Sequence, residues 1–385
     1  MKTRIALFYA GLAGLALFEI LNVYFIMPMP GSQRMASLDA AYFLHAYRWF
    51  FRIPFLLAVG AGTAGAFRIR HQWFPVVTTM LAIAIVWVLN FQMAADSMFK
   101  EAQVLTFKPR ADNAIDEGSV VIGVEHNGEA KAYPIRFLVY HHQVRDTVGG
   151  TLVLVTYCSV CRTGRVYEPV VNGRPETFRL VGMDHFNAMF EDKTTHSWWR
   201  QATGEAVAGP RKGAVLPEHA SRQVTLRKWF ELHPSALVMQ VDDVSKPNYD
   251  TTGRFERGES KGELTRTNPS SWQDKSWVLG VQIAGVSKAY DWNRLKEDRV
   301  INDTIGDTPV VLALSTDQQS FASFAAPAGQ GAFTIADDVL SANGKSFDFG
   351  GRELGEPSAG LTAVEAHQEF WHSWRTFHPG TLRYP

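Results

Sequence analysis

The sequence predicts N-terminal transmembrane α-helices followed by a mainly β (α+β) soluble region made of two pseudo-symmetric β-rich lobes. Three observations carry that expectation. Long apolar runs are confined to the first hundred or so residues. From Ala111 onward, short Val/Ile/Leu/Tyr/Phe runs alternate with Gly, Asp and Asn, the punctuation of β-hairpins. One stretch of that second region recurs later in the chain at a fixed spacing.

The anchor comes first. Residues 5–29 carry one charge, Glu19, and residues 73–93 carry none, so each meets the ~20 apolar residues needed to cross a bilayer. Residues 49–67 are a third candidate, with Arg52 near one end, where a long side chain can reach the interface. The first run is too long for the h-region of a cleavable signal peptide, about 7–15 residues. Lys2 and Arg4 precede the first span, and Arg68, Arg70 and His71 lie between the second and third. The positive-inside tendency then places everything after Met93 outside the cytoplasm. Arg34, Arg48 and Arg52 run against that orientation. The expected partners are the lipid bilayer and a thiol or metal-delivery protein. The 38 basic and 38 acidic residues balance, and no basic block exists to gather nucleic acid.

The repeat orders the rest. Gly123 to Tyr133 (GVEHNGEAKAY) returns as Gly280 to Tyr290 (GVQIAGVSKAY), an offset of 157. Over residues 120–154 the shifted copy is identical at 13 of 35 positions. Trp229 to Pro234 resembles Trp374 to Pro379, each closing its copy. The predicted organisation is therefore an anchor (1–98), a first lobe (111–241), a polar linker (242–267) and a second lobe (268–385). Asn127-Gly128 and Asn172-Gly173 are hairpin turns. Leu361 to His378 reads as an amphipathic helix ending the second lobe.

Both cysteines of the chain, Cys158 and Cys161, fall in the first lobe. Three chemistries suit them. A thiol pair can cycle between dithiol and disulfide, one thiolate attacking and the other resolving. Soft thiolates with imidazole can hold copper or zinc, with His142 and His185 as further ligands. A disulfide staple closing so short a loop stabilises little. At the 157 offset Cys158 falls on Ser315, Cys161 on Gln318 and His142 on Arg299, while the glycines and Lys-Ala-Tyr persist. The scaffold is kept and the reactive types are not, which points to Cys158, Cys161 and His142 as one working unit. A thiol centre acting as a thiol-disulfide oxidoreductase is the leading expectation. A non-enzymatic copper or zinc protein and a binding module with a structural disulfide are the alternatives. Arg162, Arg165 or His142 would supply the positive field that a thiolate needs.

Three segments together resemble the domain-of-unknown-function 3179 family of bacteria and archaea: His142 to Gly150, Val155 to Gly164, and Ser197 to Gly209. The resemblance covers most of the first copy and more weakly the second. Gln143 and Arg145 stand where the family pattern usually has Glu and Asn. Some members of the family are selenoproteins, which implies redox use of the Cys158/Cys161 pair.

Overall fold

The computed structural model describes residues 1–249, 253–327, 329–356 and 358–385. They fall into two compact units. One comprises Met1–Lys100, Thr177–Arg200 and Glu205–Ala214; the other comprises Glu101–Glu176, Gln201–Gly204 and Val215–Pro385.

In the first unit, Lys2–Tyr24, Arg48–Ala66 and Trp73–Gln92 are long and apolar enough to cross a membrane. Their bounds lie within a few residues of the sequence expectation at most ends. The first two run antiparallel, because Gly11 and Gly14 meet Phe55 and Val59 while Gly62 and Gly65 meet Arg4 and Phe8. A side chain at any of these glycines would overlap the facing helix, so the small residues set how closely the two backbones approach. The third helix ends in a π-turn, Val88–Gln92, which carries Asn90. The charges that interrupt the apolar runs find each other here. Arg52 donates to both carboxylate oxygens of Glu19, at 2.6 and 2.9 Å, and to Asn90 Oδ1 at 2.7 Å. Asn90 Nδ2 donates back to Glu19 at 2.9 Å, so one polar cluster ties all three helices. In apolar surroundings an ion is tolerated only when paired in this way.

The same unit contains an antiparallel four-stranded sheet, Phe178–Asp184, Asn187–Asp192, Trp198–Arg200 and Ala206–Ala208. Trp198 and Trp199 are buried in it, their indole N–H groups donating to Glu191 and Asp192. The Met183 amide donates to the Ile26 carbonyl at 2.7 Å, which joins the sheet to the chain leaving the first helix.

The second unit builds the same arrangement at both ends of the 157-residue offset. The hairpin Val120–His126/Glu129–Pro134 leads into a short helix, Ile135–His141, then into Gln143–Val148 and Thr151–Cys158. The hairpin Trp277–Ile283/Val286–Asp291 leads into Trp292–Asp298, then into Val300–Ile305 and Thr308–Leu314. Tyr133 donates to Asp146 at 2.7 Å, and Tyr290 donates to Asp303 at 2.8 Å. Lys131 and Lys288 pair with the same two aspartates. Gly123 lies against the Trp229 ring and Gly280 against the Trp374 ring, and in both places a Cβ would collide with the indole. The repeated glycines are thus sites of close aromatic packing in the strand interior.

Two expectations are corrected. The stretch Leu361 to His378 is helical only over Trp371–Phe377. Ala366–Phe370 is instead a strand pairing with Trp277–Val281, whose outer edge would otherwise leave its backbone groups unpaired. The stretch read as a linker contributes to a core: Tyr249 and Phe255 are buried with the apolar residues of the first lobe.

Candidate functional site

Cys158 ends the strand Thr151–Cys158, and the chain reverses over the next few residues so that Thr163 pairs back on Cys158. The reversal places Arg162 in the left-handed region (φ 55°). Both cysteines have no exposed surface, and their sulfurs are not at disulfide distance. The Cys161 carbonyl accepts the Phe370 amide at 2.8 Å, so the loop is held by the strand that ends the second lobe.

The cation beside the pair is Lys275, which the sequence reading did not select. Its Nζ donates to the carbonyls of Val160 (2.7 Å) and Leu264 (2.6 Å) and lies over the Phe370 ring. Burial pulls the ammonium down to about 8, against the opposing influence of Cys161 and Cys158. Its charged form is thus desolvated, and Cys161, Cys158 and Asp274 are the groups whose negative charge would favour it. The unfolded chain holds this proton up to about pH 10. Between about 8 and that value the folded state releases it first, so the lysine's contribution to stability rises with pH across that window.

The expected activators are otherwise engaged. Arg162 donates to the Phe255 and Glu256 carbonyls at 2.8 Å each and stacks on Trp277, 3.6 Å from its centroid. Arg165 pairs with Glu369 at 2.6 Å, and Thr163 donates to the same carboxylate oxygen. His142 caps the helix Ile135–His141 in the left-handed region (φ 61°) and is buried. Burial pulls its imidazole down to about 4, so it is neutral near pH 7, and its Nδ1 faces the Tyr140 carbonyl. Its own carbonyl accepts the Tyr157 amide at 3.0 Å, one residue before Cys158. A neutral imidazole contributes no positive field, so His142 does not supply the charge expected of it.

His185 belongs to the other compact unit, where Nδ1 lies 2.6 Å from Asp184, itself paired with Arg200. Among the described residues, no three or more His, Cys, Asp and Glu side chains are grouped so as to hold a metal. The structure therefore does not gather the Cys158, Cys161, His142 and His185 set into one ligand cluster.

Lys275 had one faint signal in the sequence. At the 157 offset it stands opposite Gly118, a cation with no counterpart in the first copy.

Fold and site together define a chain with three long apolar helices followed by a mostly β region of several sheets, which holds a buried cysteine pair close to Lys275. The chain belongs to the family described as Protein of unknown function (DUF3179), whose model matches residues 102–381. No curated protein and no solved structure matches it.

Proposed function

We propose that the protein is a membrane-tethered thiol centre in which Cys158 and Cys161 exchange two electrons with the disulfide of a partner. The observation that carries this reading is the buried Lys275, whose Nζ donates to the carbonyl of Val160 between the two cysteines and feels both of them electrostatically. A cation in a low-dielectric site favours thiolate over thiol, and the thiolate is the nucleophile. One thiolate attacks a sulfur of the partner disulfide, forming a mixed disulfide and releasing one partner thiolate. The second cysteine attacks its neighbour's sulfur, closing Cys158–Cys161 and releasing the other. The partner gains two electrons, and the protons lost by the pair pass to the released thiolates.

The second copy supports treating His142 and Cys158 as neighbours. There Arg299 and Ser315, at the equivalent positions, both reach Asp338, at 3.1 and 2.6 Å. Both thiols are covered, so exchange with a partner needs a local opening of the chain around them.

Lys275→Met tests the reading. Thiolate ultraviolet absorbance, taken as a difference against the Cys158→Ser/Cys161→Ser variant, is expected to show the lower of the two thiol titrations moving up by about one unit or more, about 1.4 kcal/mol per unit. The gap between wild type and variant is expected below about pH 8 and to close above it, where Lys275 itself is neutral. An unchanged thiol titration defeats the proposal. So does stoichiometric copper or zinc in protein purified without added metal and lost in Cys158→Ser.

From the basic residues flanking the apolar helices we also propose that the soluble region faces the periplasm or cell exterior of a bacterial inner membrane. An alkaline phosphatase fused after Met93 is expected to be active and a fluorescent protein dark; the reverse pattern places the thiols in the reducing cytoplasm.

A further inference from the structure

The two lobes meet across equivalent strands, and the two sides of that junction are filled differently. Arg222–Thr225 pairs with Val120–Gly123, and Ala366–Phe370 pairs with Trp277–Val281. In these ladders Arg222 opposite Gly123 corresponds to His367 opposite Gly280, and Val224 corresponds to Glu369. Gln223 and Gln368 also correspond, and they hydrogen bond to each other at 2.9 Å where the lobes meet. In the neighbouring strands Arg165 opposite Thr156 corresponds to Ala322 opposite Ala313.

On one side of the junction two of these pairs contribute their large, charged members, Arg165 and Glu369, whereas Arg222 lies on the other. Arg165 and Glu369 form a buried ion pair, and His367 lies 3.3 Å from Glu218. On the other side the same positions are Ala322 and Val224. Ala322 lines a cavity of about 480 Å³, within the range of small-molecule sites.

Arg222 also lines that cavity. Its Nη2 donates to the Gly350 carbonyl at 3.1 Å. Among the described residues no carboxylate lies within salt-bridge distance of it; Glu365 and Asp348 act on it only from farther away. Burial lowers its pKa, as expected for a guanidinium lacking a close counter-ion. The remaining walls include Trp229, Leu232, Phe321 and Val364. A half-buried cation without a close counter-ion, beside a void whose walls are part apolar and part polar, suits an anion carrying an apolar body.

We propose that this cavity binds a small organic monocarboxylate, with the carboxylate on the Arg222 guanidinium and its apolar portion against Trp229 and Phe321. A carboxylate matches the guanidinium fork. Arg352 and His233 line the same cavity, but so do Glu125 and Glu365, whose carboxylates disfavour a dianionic phosphate more than a monoanion. This assignment is independent of the thiol centre.

The test uses the full chain in detergent, with calorimetric titration of benzoate, butyrate and inorganic phosphate. At least one carboxylate is expected to bind about tenfold or more tightly than phosphate. Arg222→Met is expected to weaken it by about tenfold or more, the scale of a lost charged hydrogen bond. Ala322→Arg places in this cavity the side chain that fills its counterpart, and it too is expected to remove binding. Melting temperature and circular dichroism identify a variant that has lost its fold, and Ala322→Arg, which leaves Arg222 in place, then decides the matter. Failure of both carboxylates to bind overturns the proposal, as do binding indifferent to both variants and phosphate bound as tightly as the carboxylates.

Discussion

Replacing Arg52 with leucine is expected to destabilise the helical unit by roughly 3–5 kcal/mol, the range for removing one member of a buried ion pair. Glu19 is almost wholly enclosed, with a side-chain exposure of 1%. Without Arg52 its carboxylate keeps Asn90 as a hydrogen-bond donor but loses its counter-ion. The Glu19→Leu/Arg52→Leu double variant is expected to recover much of the loss, since two apolar side chains leave no ion to bury. Thermal denaturation of the full chain in detergent, with both single variants and the double, measures the coupling directly. If the two losses simply add, the pair does not hold the helices together.

The second large effect belongs to the junction of the lobes. Arg165→Ala is expected to cost about 3–5 kcal/mol, because it strands Glu369, whose second carboxylate oxygen already has no hydrogen-bond partner. Thr163 would remain as a neutral donor to the first oxygen. Adding Glu369→Val recreates the Ala/Val pair that the chain carries at the corresponding positions, Ala322 and Val224. That double variant is expected to regain most of the stability in urea denaturation. It also opens a second cavity, so a remaining deficit of about 1–2 kcal/mol is consistent with the lost packing. A double variant no more stable than Arg165→Ala would mean that the two sides of the junction are not interchangeable scaffolds.

Much of the architecture is legible because it is encoded locally. Apolar runs of sufficient length mark the three helices without reference to their neighbours. Asn127-Gly128 and Asn172-Gly173 turn where their sequence says they should, all four residues having positive φ. The 157-residue offset locates equivalent hairpins, and with them the paired Lys, Tyr and Asp contacts. The misreading of Ala366–Phe370 has the opposite origin. Its spacing of apolar residues also suits a helix, and it is a strand because the edge of Trp277–Ile283 offers unpaired backbone groups.

What the sequence by itself determined is the three long apolar helices, the hairpins, the recurrence of one hairpin pattern at an offset of 157, and the placing of both cysteines beside its first occurrence. What only the tertiary structure decided is which charges meet. Arg162 and Arg165 lie beside the cysteines in the chain, yet their guanidiniums are directed to Phe255, Glu256 and Glu369. Lys275, more than a hundred residues away, supplies the cation next to the thiols. Arg165, pointed into one half of the lobe junction, and Ala322, at the matching position in the other, decide which half is filled and which is open. Backbone pairing follows local pattern, whereas the partner of a buried charge follows from how the lobes pack.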